Sequence, residues 1–552
     1  MIARHAARLL VAAGAAVFHI GAPLAAQAPS RTGGPRVGFD VLHYAFAVEV
    51  GTPALGDTVR VSTEITVHRQ TDATSFVLDL AAPMAVRRVA LRGAAIPFTH
   101  QRGQLTLQLP PGRRDTLRLT VDAAGIPTDG LIVQRDANGS FTAFADHFPN
   151  RAQQWLPTVD HPADKATVAW TVRAPATHRV IANGVRTEES RDAANPQIVT
   201  TRWSAARPLY TGVMVIGIAP FSVVELGTGL CGIAEFSGCI AQSVWTLPGQ
   251  RRHLPGHFAR ANDIAAFFTR TAGPFPYEAL AHVASSTRYG GMENAGAIFY
   301  ASRLFDTGTP SELLVAHEMA HQWFGDAVTT REWPHVWLSE GFATYFAALW
   351  LERAYGDTAL RSELERMRRD VLRSDVTDRL PIVDESLDDL GRVLNTNVYE
   401  KAGFVLHLLR REIGDSAFFG AVRAYVATHR HGNALSSDFQ RAVETAAGKP
   451  LDWFFTQWLT RPGLPSVTVK AEWDVVERKV ALRIQQDTAR PPFRFPLTVD
   501  VTGVDGRVQR TTITVPAEPT AVVMLPLSLR AAPRSVIYDA DAGVLGRVRA
   551  IP

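Results

Sequence analysis

The period of the apolar residues changes twice along this chain, so it cannot fold around one kind of layer. From Phe39 to about Pro220 the apolar residues alternate, as in Val59, Val61 and Thr63, or Leu105, Leu107 and Leu109. Turn signals such as Pro110-Pro111-Gly112 and Asn183-Gly184 punctuate the runs. That pattern predicts half-buried strands. From about Leu247 the spacing becomes helical, with helices predicted over Phe258–Ala272, Ser311–Phe324, Val336–Tyr355 and Tyr399–Ile413, and more to Leu459. After Pro462 alternation returns in Val480, Leu482, Ile484 and in Leu497, Val499, Val501, with Asp505-Gly506 as a hairpin signal. At 552 residues the chain is long enough for several cores. The expected fold class is multidomain α+β: an N-terminal all-β domain over 35–226, a mostly helical domain over 227–462, and a small C-terminal β-sandwich over 463–552. No repeat or low-complexity linker interrupts it.

Residues 1–28 read as a signal peptide. Arg4 and Arg8 form a positive start, Leu9 to Leu24 is apolar apart from His19, and Ala25, Ala26 and Ala28 offer small residues for cleavage. The stretch falls short of the roughly 20 residues a membrane span needs, so export to the periplasm or exterior, without a stable membrane anchor, is the expectation. In an oxidising compartment Cys231 and Cys239, separated by seven residues in a Gly-rich stretch, are expected to pair as a disulfide, the rival being two free thiols. The 57 basic and 53 acidic residues leave a net charge of +4. That is too little, spread over this length, to argue for nucleic acid.

The chemistry is carried by His317-Glu318-Met319-Ala320-His321. Thr309-Pro310-Ser311-Glu312 reads as a helix start, with a Thr cap and Pro at the first helical position. Gly325 reads as its stop. On that helix His317 and His321 lie one turn apart on one face, within reach of one zinc ion. Glu318 stands beside the first ligand, where a carboxylate can deprotonate a water. A catalytic zinc needs a third protein ligand and an open position. Eighteen residues separate His321 from Glu340. Glu340 begins the next predicted helix, which a loop over Asp326–His335 would fold back onto the first.

Upstream lies Gly290-Gly291-Met292-Glu293-Asn294. With the His317–His321 motif and Glu340 in Trp337-Leu338-Ser339-Glu340-Gly341-Phe342-Ala343, it resembles the M1 family of gluzincin metallopeptidases, the aminopeptidase N-like enzymes. Tyr399-Glu400-Lys401 resembles the segment that carries the family's catalytic tyrosine. Phe39–Tyr44 resembles its opening strand, and Trp155–Asp160 its first-domain signature. The resemblance implies a thermolysin-like catalytic domain, one zinc per chain, and peptide substrates with a free N-terminus. It implies Glu318 as general base, Tyr399 as the donor to the oxyanion, and Glu293 as the carboxylate that binds the substrate's α-ammonium. Two positions depart from the family. The family's usual aromatic after the exopeptidase motif is Ala295 here, whereas Gly291 in place of the Ala of Gly-Ala-Met-Glu-Asn is a familiar variant. The Gln that helps hold the amine falls, counting back from Trp155, on Asp146, where an acid can still bind an ammonium. Larger members carry a helical domain after the small β-domain, so a more open substrate cavity is expected here.

Other readings are weaker. Gly227-Thr228-Gly229-Leu230-Cys231-Gly232 matches a dinucleotide fingerprint, but strand-like Ile233–Ile240 follows where a helix is required, so no nucleotide is expected. An endopeptidase or an epoxide hydrolase could use the same zinc scaffold. A catalytically silent binding protein would be expected to have lost one of His317, Glu318, His321, Glu340 or Tyr399, and all five are present.

Overall fold

The computed structural model describes residues 34–52, 55–135, 141–232, 239–250, 258–306, 312–541 and 543–551. The expected signal peptide and the helix start at Thr309–Ser311 lie outside them.

The N-terminal part is built from strands. Its main sheet has eight, and Phe39–Glu49 sits inside it, antiparallel to Val59–Arg69 and parallel to Ala166–Pro175. Val59, Val61, Thr63, Ile65 and Val67 point inward and are buried. The alternation in the sequence is therefore the two-faced character of an antiparallel sheet. The rings of Trp155 and Trp170 stack 6.4 Å apart between this sheet and the Trp155–Asp160 segment, and the Tyr44 hydroxyl accepts a hydrogen bond from Val159 N at 2.9 Å. In a four-stranded sheet the strand Phe141–Ala145 ends at Asp146, whose N donates to Gly130 O at 2.9 Å.

The middle part is less purely helical than the apolar period suggests. It opens with a five-stranded sheet in the order Ser222–Cys231, Cys239–Thr246, Ala279–Ser285, Ala297–Ala301, Gly291–Met292. Ala279–Ser285 and Ala297–Ala301 are buried on both faces. Strands of that kind show no alternation, which is why the sequence hides them. The first strand runs across the boundary expected at 226/227. The glycine-rich fingerprint lies in this antiparallel hairpin, whose register sets Cys231 opposite Cys239. Cys239 is disulfide-bonded.

Nine α-helices follow among the described residues: α1 (Ala261–Ala272), α2 (Glu312–Ala320), α3 (Trp337–Tyr355), α4 (Asp357–Arg373), α5 (Asp375–Arg379), α6 (Ala402–Ile413), α7 (Asp415–His429), α8 (Ser436–Ala447) and α9 (Asp452–Leu459). None of them is long and apolar enough to cross a membrane. α3 is apolar all round and buried from Trp337 to Trp350, the signature of a helix at the centre of a core. It packs very closely on α6. A Cβ on Gly341 would lie 2.6 Å from that of Ala402, and one on Gly403 would lie 3.1 Å from Thr344. Beyond Leu459 the chain turns into the C-terminal strands, a four-stranded and a three-stranded sheet. Val480, Leu482 and Ile484 of one sheet and Leu497, Val499 and Val501 of the other are buried between them.

Candidate active site

α2 ends at Ala320, but the backbone bond from His321 N to His317 O (3.3 Å) keeps the two imidazoles one turn apart. Their Nε2 atoms face each other at 3.1 Å. The turn that follows depends on Gly325, whose φ of +115° is open to glycine. A Cβ there would also lie 2.2 Å from Ser339 Oγ. The chain then forms the strand Val328–Thr330, parallel to Gly432–Ala434, and a short 3₁₀ turn, and returns as α3. This brings Glu340 back to the histidines. Glu340 Oε2 lies 3.5 Å from His317 Nε2 and 3.3 Å from His321 Nε2, long for hydrogen bonds. The three ligand atoms sit within 4.8 Å of one another.

This donor set fits zinc. Glu340 Oε2 is buried with no hydrogen-bond partner, an arrangement that a cation satisfies. His321 Nδ1 lies 3.0 Å from both the Phe324 carbonyl and Ser339 Oγ. A proton on Nδ1 then goes to Phe324 O, leaving the Nε2 lone pair free for a metal. Burial alone raises the Glu340 carboxyl, but the neighbouring imidazoles outweigh it and bring it down to about 2, so it is ionised.

Glu318 and Glu293 form a second cluster with His321, in which one oxygen of each lies within 4.8 Å of one of its ring nitrogens. Both carboxyls are raised, chiefly by burial and further by neighbouring carboxylates, while His321 opposes the rise. Such a pair attracts a cationic group. Glu293 follows Gly291–Met292, the edge strand of the five-stranded sheet, which pairs with Tyr300 and Phe299. Gly290 O accepts from Ala301 N at 3.0 Å. Met292 is buried, and Asn294 is buried with neither side-chain polar atom bonded within the protein. Tyr399 sits in a π-helical turn, Asn397–Lys401, that leads into α6. Its ring stacks on His317 at 6.0 Å. Burial, and then the Glu340, Glu293 and Glu318 carboxylates, push its phenol well above the usual range, so it remains a hydrogen-bond donor.

Asp146 is the correction. It is 0 % exposed and already paired, with Oδ2 at 2.9 Å from Arg151 Nη2 and 2.8 Å from Arg288 Nε. Thr287 Oγ1 donates to its other oxygen at 3.2 Å. Arg151 and Arg288 also contact Asp129. Two arginines and two aspartates thus form a neutral tetrad, and no carboxylate is left over for a substrate amine. Arg151 lies five residues from Asp146 along the chain, but Arg288 comes from a segment more than a hundred residues away. Sequence reasoning also missed Ser339 and Gln322, although each is adjacent to a zinc-ligand candidate.

Fold and site together define a gluzincin-type metallopeptidase scaffold: two histidines from one helix, a glutamate from the next, and a buried acid beside the first histidine. Residues 43–211 match the peptidase M1 N-terminal domain and residues 260–458 the peptidase family M1 domain. The chain belongs to peptidase family M1. Among its relatives are "Probable aminopeptidase 2" of Sulfurisphaera tokodaii, 27% identical over 75% of this chain and 54% of the relative, and "Aminopeptidase N" of Streptomyces lividans, 29% identical over 75% of this chain and 49% of the relative. The chain spans about half the length of these curated relatives. The fold is shared with an M1 zinc metallopeptidase from Deinococcus radiodurans, at TM-score 0.67 and 23% identity over 78% of this chain and 95% of that one. A variant of that enzyme bound to a Tyr-Ser-Ala substrate superposes at TM-score 0.67 and 24% identity, covering 78% of this chain and 96% of that one.

Proposed function

We propose that this protein is an exported zinc aminopeptidase that removes N-terminal residues from peptides. The observation that carries the reading is that Glu293 and Glu318 form one cluster with His321, itself a member of the His317–His321–Glu340 ligand set. A peptide whose α-ammonium pairs with Glu293 has its first amide bond near the metal ligands and the base. The chemistry that zinc supplies when held by these three residues is Lewis-acid polarisation of a carbonyl and acidification of a water. Glu318 takes the proton from the attacking water. Tyr399 donates its hydroxyl hydrogen to the oxyanion that develops on the scissile carbonyl. Gly291–Met292, at the sheet edge, offers backbone groups to an extended peptide. Export is supported by the layout of residues 1–28 and by the disulfide at Cys239.

The test is hydrolysis of an aminoacyl-anilide and its N-acetylated counterpart, with and without chelator. The aminopeptidase reading expects chelator-sensitive cleavage of the free amine and severe loss on acetylation. Equal cleavage of both would make the enzyme an endopeptidase, and turnover of an epoxide in place of the anilide would move it to the epoxide-hydrolysing branch.

A further inference from the structure

Glu293 can count residues only if its carboxylate keeps a fixed place relative to the metal ligands. Its own segment does not provide that: Gly291–Met292 is a two-residue strand, and the turn after it closes through Gly296 at φ +72°. The side chain that bridges the gap is Gln322, the residue after His321, which is 0 % exposed. Gln322 Nε2 donates to the Glu293 carbonyl at 2.7 Å and to Asp326 Oδ2 at 2.9 Å. Gln322 Oε1 accepts from Gly296 N at 2.8 Å. The orientation of the amide is forced, because a carbonyl can only accept and a backbone N–H can only donate. One side chain therefore grips both ends of the Glu293–Gly296 turn, and Asp326 holds that side chain in place. Asn183 of the N-terminal part adds one more bond, from Nδ2 to Ala295 O at 3.0 Å.

We propose that Gln322, oriented by Asp326, is the positioning residue that sets Glu293 against the zinc ligands and so fixes where the substrate amine is read. The inference rests on the amine-binding reading of Glu293. A wild-type Gln322 ties the Glu293 backbone to the residue beside His321, so any slip of the turn breaks a buried bond. An isosteric Gln322→Glu keeps the acceptor for Gly296 N–H but turns the donor facing the Glu293 carbonyl into a second acceptor.

The experiment compares wild type, Gln322→Glu, Asp326→Ala and Glu293→Ala as full-length proteins. It measures kcat and KM on an aminoacyl-anilide, the kcat/KM ratio of free-amine to N-acetylated substrate, and zinc content by elemental analysis. For Gln322→Glu we expect zinc retained, KM raised more than kcat is lowered, and the amine ratio reduced about tenfold or more, since one lost buried hydrogen bond is of that order. Combined with Glu293→Ala, it should lower the ratio no further, because both changes act on one contact. A wild-type ratio in zinc-loaded Gln322→Glu overturns the proposal. Should that variant not fold, Asp326→Ala is read instead: it removes the acceptor that holds Gln322 Nε2, the ratio is expected to fall, and an unchanged ratio overturns the proposal equally. If Glu293→Ala itself leaves the ratio unchanged, it is the amine reading that fails.

Discussion

Glu340 Oε2 has no partner but the two facing imidazole nitrogens, so its replacement should be read in metal and not only in rate. Glu340→Ala is expected to lose zinc by elemental analysis, whereas Glu318→Gln should keep zinc and lose about 10²–10⁴ in turnover, the range of a missing general base. Tyr399→Phe should retain zinc and lose about 10²–10³, mostly in kcat, as expected for an oxyanion donor. Normal kcat with raised KM would instead make Tyr399 a binding residue. Gly291 makes the sharpest prediction at this scale. The family motif commonly has Ala there, yet a Cβ on Gly291 would lie 2.2–2.6 Å from the Glu318 carboxyl group and Cγ. In this chain the base occupies the space of that methyl. Gly291→Ala should therefore displace Glu318 and lower kcat by up to about 10², since a misplacement of this size at a reacting group is that costly. Unchanged kcat in the zinc-loaded variant would show that Glu318 finds an equivalent position.

At the scale of elements, the site is a meeting of α2, α3, the turn before α6 and the edge strand, held by contacts that carry no chemistry. The close approach of α3 to α6 also holds the turn that carries Tyr399, since a Cβ on Gly341 would lie 3.3 Å from Val398 O. The Asp129–Asp146–Arg151–Arg288 tetrad ties the end of Phe141–Ala145 to the residues leading into Gly290. Because Asp146 is spent in those pairs, Asp146→Ala should act on stability. Removing one side of a buried pair strands the other, a loss on the order of 3 kcal/mol. We expect a lower unfolding midpoint together with a near-normal KM for free-amine substrates. A large KM rise with an unchanged midpoint would return Asp146 to the amine site.

At the scale of the molecule, the N-terminal part stores buried acid. Asp164 is almost wholly buried and is pushed up to about 7 by desolvation, then by Asp40, against the Val41 backbone bond and Arg36. Its folded value lies above the unfolded one, so the contribution of this group to stability is full below about 4 and is lost as pH rises to about 7. Asp164→Asn keeps the shape and removes the charge. Its gain in unfolding midpoint over wild type should grow between pH 4 and 7 and level off above, which thermal melts across that range would check. A gain independent of pH would mean that Asp164 keeps an ordinary carboxyl value.

The sequence by itself determined whatever depends on spacing along one element. A helix places i and i+4 on one face, so His317, Glu318 and His321 were legible as a ligand pair with a base, and strand alternation marked the two β-rich parts. Glu340 and Tyr399 were legible through the motifs around them. Tertiary structure decided what depends on approach between distant segments. The strands Ala279–Ser285 and Ala297–Ala301 carry no alternation because both faces are covered. The role of Asp146 was decided by Arg151 and Arg288, and the grip of Gln322 on Glu293 by a contact across 29 positions. A side chain's charge and shape are written in its letter, but which unpaired group it meets after burial is set by packing, and at this site packing decides which carboxylates remain free for a metal and an amine.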